Sequence, residues 1–116
     1  MTIKRLETGP RMSRAVIHGN MVYLAGVVAD DPKTSVAEQT RQILASIDRL
    51  LAAAGTDKSK LITTNIWLAD ISTFAEMNAV WDKWVSPGNT PARATVQSAL
   101  AAPDNKVEIM VTAAIG

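Results

Sequence analysis

The chain has 116 residues, of which 47% are hydrophobic and 20% are charged, and its formal net charge is +1. These values are typical of one globular domain with a modest core, so they predict a single domain over residues 1–116 that associates with its own copies. The absence of cysteine excludes disulfides, thiolate nucleophiles and cysteine-ligated metals, and it fits a reducing compartment.

Three short strands are predicted within the first 28 residues. Residues 3–7 form an edge strand before a break at Gly9-Pro10, and residues 15–18 and 21–28 are rich in β-forming side chains. The dipeptide Gly19-Asn20 predicts a tight hairpin turn between the last two strands, because both residues tolerate a positive φ.

A long amphipathic helix is predicted next. Ser35 and Glu38 have the spacing of a capping box, in which the two side chains satisfy free backbone N–H groups at the helix start. Gly55 ends the helix, since left-handed geometry costs glycine little, and the segment between has about five turns. The stripe at helical spacing consists of Val36, Thr40, Ile43, Ile47, Leu50 and Ala54.

The second half of the chain is predicted to contain three strands and one more helix. Residues 61–68 (LITTNIWL) are β-branched and apolar, which indicates a buried strand. Thr73 and Glu76 repeat the capping-box spacing before a second helix. Residues 92–97 and 106–114 are the last two strands. The stripe of the second helix is Phe74, Met77, Trp81 and Trp84.

The predicted order, β-β-β-α-β-α-β-β, indicates an α+β fold with one sheet and both helices on one face. The other face of the sheet must also pack against something. In a chain this short, another subunit is the simplest packing partner.

Chemically informative side chains lie on the last two strands. Because side chains alternate on a strand, Arg93, Thr95 and Gln97 share one face of residues 92–97. The opposite face is small and apolar, which suits packing under a helix. Glu108 belongs to the polar set of residues 106–114. If these two strands pair, Arg93 and Glu108 share the face of the sheet away from the helices.

Arg93 and Glu108 are therefore the candidate catalytic residues. A guanidinium binds a carboxylate through two parallel hydrogen bonds, and a nearby glutamate can orient a water or accept its proton. Together they would supply two parts of a hydrolytic site for a small acid. The alternative is a structural ion pair, which at a surface contributes about 0–1 kcal/mol, and the residue pattern alone leaves both possibilities open.

Four segments together resemble the RidA/YjgF family of reactive-imine deaminases. They are GNMVYLAG at the hairpin, EQTRQILASIDRLLAAAG in the first helix, FAEMNAVWDKW in the second, and PARATVQSALAAPDNKVEI over the last two strands. Their order and spacing carry the resemblance, which covers nearly the whole chain. It implies a chorismate-mutase-like subunit, three of which form a homotrimeric barrel with clefts between subunits.

The resemblance also implies residue roles and a function. Arg93 falls on the arginine that binds the substrate carboxylate, Glu108 on the glutamate that positions the hydrolytic water, and Asn78 on a helix asparagine near the site. The implied activity is hydrolysis of small, reactive 2-imino or enamine acids to 2-keto acids and ammonia. That chemistry needs no cofactor.

The substrate pocket departs from the family at several positions. Met12 stands at or near the place of a tyrosine in the deaminating members, and Ala25 replaces a serine before the strand glycine. Thr95 replaces a residue that is often cysteine. Arg11, beside Met12, is a candidate to reach the mouth of the cleft, with a solvated loop arginine as the alternative. These changes indicate a divergent paralogue group.

Two other functions stay open. The same cleft could hold a 2-keto acid without turnover, as a binding or regulatory protein, and the changed positions favour this alternative. Ribonuclease activity or translation inhibition is disfavoured by the near-neutral charge, by scattered lysines and arginines, and by the lack of an aromatic-basic platform, so no nucleic-acid partner is expected.

The remaining signals predict a cytoplasmic protein without metal or membrane partners. His18 is the only histidine and lies beside the hairpin turn, so a zinc site is not expected. No phosphate-binding glycine loop is present, and no apolar run approaches the roughly 20 residues that span a bilayer. The N-terminal segment lacks the apolar core of a secretory signal.

Overall fold

A computed structural model describes residues 2–116 of the chain, and within that range it has one six-stranded sheet and two α-helices. Short 3₁₀ turns at Lys58–Lys60 and Ile71–Thr73 precede the fourth strand and the second helix. The predicted element order is confirmed. The elements are β1 (Ile3–Thr8), β2 (Ser13–His18), β3 (Met21–Leu24), α1 (Val36–Ala53), β4 (Leu61–Leu68), α2 (Phe74–Trp84), β5 (Ala92–Gln97) and β6 (Val107–Ala114).

The strands lie in the order β1-β2-β3-β6-β4-β5. All neighbours are antiparallel except β4 and β5, which are parallel and joined through α2. This crossover places β5 at the edge of the sheet, and β6 then returns into the gap between β3 and β4. β4 therefore separates β5 from β6, so the pairing on which a shared face for Arg93 and Glu108 was conditional does not occur.

The hydrophobic core lies between the sheet and the two helices. Ile43 and Ile47 of α1 are fully buried, as are Val107 and Ile109 of β6. Burying a side chain of this size contributes about 1.5–3 kcal/mol. The strict alternation of buried and half-buried positions along β6 confirms the predicted apolar set on that strand.

The helix ends follow the sequence signals only in part. Ser35 Oγ accepts a hydrogen bond from the Glu38 N–H (3.1 Å), and Gly55 has φ 86°, as predicted for the start and end of α1. The predicted capping box at Thr73 was wrong, since Thr73 makes no side-chain cap. Glu76 instead accepts a hydrogen bond from the Ala37 N–H at the start of α1 (3.0 Å), so α2 supports the first turn of α1.

A fully buried glutamine fixes the long connection from β5 to β6. Gln39 Nε2 donates to the carbonyls of Pro32 (2.8 Å) and Asp104 (3.1 Å), while its Oε1 accepts from the Lys106 N–H (2.9 Å). A buried amide with all these partners stabilises one arrangement of the loop. It thereby sets where β6 begins.

The face of the sheet away from the helices, here called the open face, carries several apolar side chains. Tyr23 is 46% exposed and Val96 is 50% exposed, and Val16, Trp67 and Met110 lie on the same face. Exposed apolar side chains that share one face of a sheet are typical of a surface that packs against another chain.

None of the helices in residues 2–116 has both the length and the apolar character that crossing a membrane requires.

Candidate active site

Arg93 points toward the helices and not toward the open face. In the β4–β5 register it is opposite Thr64, which is 1% exposed on the helix side of the sheet. Neighbouring positions in register share a face, so Arg93 and Thr95 lie on the helix side. The faces predicted for β5 were therefore reversed. The physical reason is that β5 is an edge strand next to α2, whose polar and aromatic side chains can receive a guanidinium.

Three side chains of α2 hold the Arg93 guanidinium. Its Cζ lies 5.3 Å from the centroid of the Trp81 ring and 5.7 Å from that of Phe74. Its Nη1 donates a hydrogen bond to Asn78 Oδ1 (2.8 Å). Phe74, Asn78 and Trp81 are spaced by four and three residues, which places them on one side of the helix. The cation is thus oriented before any ligand arrives.

The rest of the guanidinium has no protein partner. The ion pairs within residues 2–116 do not include Arg93, and Asn78 is the only side chain in that range to which it donates a hydrogen bond. A half-buried arginine with unpaired donors is suited to an incoming carboxylate. The alternative of a structural ion pair between Arg93 and Glu108 within one chain is also excluded.

Two buried hydroxyls lie near Arg93 without a hydrogen-bond partner in the described part of the chain. They are the hydroxyls of Thr64, directly opposite Arg93, and of Thr95, two residues further along β5. Leaving a buried hydroxyl unpaired costs about 1–3 kcal/mol. Thr95 therefore has an unpaired hydroxyl on the same face of β5 as the Arg93 guanidinium.

Glu108 lies on the open face, opposite Trp67 of β4. Its carboxyl group packs against the backbone of Gly26: a Cβ atom added there would lie 3.1 Å from Glu108 Cδ and closer still to Oε2. Only glycine leaves this space. Gly26 therefore leaves the room that the Glu108 carboxylate occupies.

The other predicted pocket residues lie toward the Glu108 side of the sheet. The Ala25 N–H donates to the Arg14 carbonyl (2.9 Å), which extends the β2–β3 pairing up to Gly26. The Gly9 N–H donates to the Met12 carbonyl (2.9 Å) and closes the β1–β2 turn, where Met12 is 49% exposed and Arg11 is also exposed.

The structure thus places the predicted site residues in two groups within one chain, which are here called half-sites. The Arg93 half-site contains Arg93, Asn78 and Thr95 and lies on the helix side of the β5 edge. The Glu108 half-site contains Glu108 and Ala25 on the open face, with Met12 and Arg11 in the adjoining turn. The two are on opposite faces of the sheet, so the prediction that Arg93 and Glu108 share a face was wrong.

Sequence reasoning missed three residues of these half-sites. Phe74 and Trp81 were assigned only to a helix stripe, although their spacing with Asn78 indicates a common side of α2. The close contact of Gly26 with Glu108 depends on the pairing of residue 27 with residue 109, which joins segments far apart in the sequence.

Two helices over one face of a mixed six-stranded sheet place the chain in the chorismate-mutase-like class of α+β folds. The family model described as Endoribonuclease L-PSP matches residues 2–115. The RutC family protein YoaB of Escherichia coli (strain K12) is 44% identical over 115 residues, covering 99% of this chain and 100% of that protein.

A crystal structure of a YjgF family member from Neisseria meningitidis has a TM-score of 0.97 and 45% sequence identity, covering 100% of this chain and 97% of the other. The 2-iminobutanoate/2-iminopropanoate deaminase of Rattus norvegicus is 33% identical over 110 residues, covering 90% of this chain and 80% of that protein. The chain belongs to the RidA/YjgF/RutC family.

Proposed function

We propose that the protein is a cytoplasmic, homotrimeric deaminase that hydrolyses small 2-imino or enamine acids to 2-keto acids and ammonia. The observation that carries the proposal is the Arg93 guanidinium, held by two aromatic rings and Asn78 and free of any carboxylate in residues 2–116. The name of the rat relative, a 2-iminobutanoate/2-iminopropanoate deaminase, supports the same activity.

The separation of the half-sites supports an active site shared between copies. Arg93 lies at the β5 edge, whereas Glu108 lies on the open face of the same sheet. One substrate can meet both only if the β5 edge of one copy packs against the open face of the next. Repeating this contact around a threefold axis closes a trimer and covers the exposed apolar side chains of the open face.

The reaction follows from the chemistry of the two half-sites. Arg93 binds the substrate carboxylate and so fixes the imine carbon in the cleft. Glu108 of the neighbouring copy orients a water and accepts one of its protons as the oxygen bonds to the imine carbon. The imine nitrogen takes up one proton as the water adds, which gives a carbinolamine. The nitrogen then takes up a second proton and leaves as ammonia when the C–N bond breaks, while the hydroxyl loses its proton and the carbon becomes the keto carbon of the product. Both protons of the water therefore end on the ammonia.

The remaining pocket residues set the substrate range. Thr95 offers an unpaired hydroxyl next to Arg93. Met12 and Ala25 give the wall on the other side an apolar surface without hydrogen-bond donors in their side chains, and Arg11 adds a positive charge at the mouth of the cleft. This combination favours small acids with an apolar side chain.

An ammonia-release assay tests the proposal. An amino-acid oxidase generates 2-iminopropanoate, and the protein should accelerate the release of ammonia from it. Arg93→Ala should lower kcat/KM by about a hundredfold, because it removes two charged hydrogen bonds, and Arg93→Lys should recover only part of the loss. Arg41→Ala, an exposed arginine on α1 away from the open face, is the matched control and should leave the rate unchanged.

Binding of pyruvate separates deamination from the second candidate function. Saturable pyruvate binding that requires Arg93, without any acceleration of imine hydrolysis, would establish a carboxylate-binding protein and contradict the deaminase proposal.

A further inference from the structure

A groove of about 470 Å³ lies between α1 and α2 on the outer side of the helices. It exists because short side chains occupy facing positions on both helices, so the helices leave space above the core. The small residues are Ala37 and Ala45 on α1 and Ala79 on α2. The volume lies within the range of about 300–1,000 Å³ that small-molecule sites occupy.

The floor of this outer groove is apolar and rigid. Leu44 is 2% exposed, and Val80 and Trp84 are half-buried beside it. The Trp84 indole Nε1–H donates to Asp48 Oδ2 (3.0 Å), and its ring packs against Trp81 at 5.3 Å between centroids. Trp84 therefore offers a flat surface with a fixed orientation.

Positively charged side chains outnumber carboxylates along the groove. Lys58 and Lys83 both line it, and neither forms an ion pair within residues 2–116. Lys58 Nζ lies 5.2 Å from the centroid of the Trp84 ring. The complete charged lining has three cations and two carboxylates: Arg41, Lys58, Lys83, Asp48 and Glu76.

We propose that the outer groove binds a small organic anion with a flat apolar body, of the arylalkanoate class. The ring lies against Trp84 and Leu44, and the carboxylate pairs with Lys58 and Lys83. Arg93 is not among the lining residues, so the site is separate from the proposed active site. It lies on the helix side, and copies that pack through the open face leave it accessible.

Titration with 3-phenylpropionate tests this site, with the Trp84 indole N–H resonance followed by NMR and assigned through Trp84→Phe. A saturable shift with a Kd of about 1 mM or tighter is expected. The neutral 3-phenylpropanamide should bind at least about fivefold more weakly, since it lacks the charge that pairs with the lysines. Lys58→Gln combined with Lys83→Gln should weaken the acid by a similar factor.

Two alanine substitutions locate the ligand. Ala79→Leu fills the groove and should abolish the shift, whereas Ala52→Leu, exposed on α1 outside the groove, should not change it. Both replacements keep a good helix former at an exposed position, so the fold is retained, and circular dichroism checks this. Arg93→Ala should bind the acid as the unmodified protein does.

Several results would overturn the proposal. They are the absence of saturable binding, equal affinity for the acid and the amide, full binding by Ala79→Leu, or loss of binding in Arg93→Ala. The last result would place the ligand at the Arg93 half-site instead.

Discussion

Replacing Gly26 by alanine should damage catalysis much more than folding. The backbone of Gly26 is not in the left-handed region, so alanine can adopt it without strain. The added methyl group would lie 3.1 Å from Glu108 Cδ and 3.4 Å from its Cγ, and closer still to Oε2. Carbon atoms in contact normally lie about 3.5–4.0 Å apart, so the carboxyl group has to move away.

The size of the effect follows from that displacement. Relieving the contact moves the carboxylate oxygen by about 1 Å, and a displacement of that order costs up to about a hundredfold in rate. The glutamate can rotate about its side-chain bonds at a cost of about 0.5–1.5 kcal/mol. We therefore expect kcat/KM for 2-iminopropanoate to fall by about tenfold to a hundredfold, while Tm falls by less than about 8 °C.

The ammonia-release assay and a thermal melt measure the two quantities on one preparation. Gly9→Ala is the matched control, because its methyl group would meet only the Met12 carbonyl oxygen at an ordinary 3.5 Å. Full activity in Gly26→Ala would refute the role assigned to Glu108. A large loss of Tm with proportionate loss of activity would show that Gly26 serves the fold alone.

Three further substitutions test the supports of the site. Phe74→Leu removes one ring over Arg93, worth about 0.5–1 kcal/mol, and should raise KM for the imino acid about two- to fivefold, whereas Phe74→Tyr should not. The Ser72 hydroxyl and N–H donate hydrogen bonds to the Asp70 carboxylate and hold the pKa of Asp70 below its usual 3.8. These hydrogen bonds therefore stabilise the fold above that pH, and their contribution is lost as the pH falls through the folded-state pKa. Asp70→Asn, which can still cap, should make Tm less sensitive to pH below 3.8. Gln39→Leu should lower the free energy of unfolding by about 1–3 kcal/mol in urea melts, because the carbonyls of Pro32 and Asp104 and the Lys106 N–H lose their common partner.

The elements were predictable because their signals are local. The stripe at helical spacing and the capping Ser35 predicted α1, and β-branched runs predicted the strands. The predicted bounds of β4 and β5 are the observed ones. The capping box at Thr73 failed because Asp70 caps a 3₁₀ turn just before the helix. Caps of this kind by aspartate are common, and the Thr73–Glu76 spacing alone does not show whether Asp70 or Thr73 is the capping residue.

The arrangement of the site was less predictable because it depends on strand order. Arg93 and Glu108 were predicted as the candidate catalytic residues, and this stays a prediction. Their faces follow from the insertion of β6 beside β4, which no short segment encodes. Alternation along β5 separates the two faces of the strand, but it does not show which face meets the helices. The contact of Gly26 with Glu108 was hidden for the same reason.

Mixing two impaired variants tests the central claim most directly. Arg93→Ala and Glu108→Gln are each expected to lose most of the activity, and refolding them together should produce mixed trimers, which native mass spectrometry can confirm. If each active site takes Arg93 from one copy and Glu108 from the next, about one site in four regains both residues, with activity to match. No recovery of activity in confirmed mixed trimers would contradict a site shared between copies.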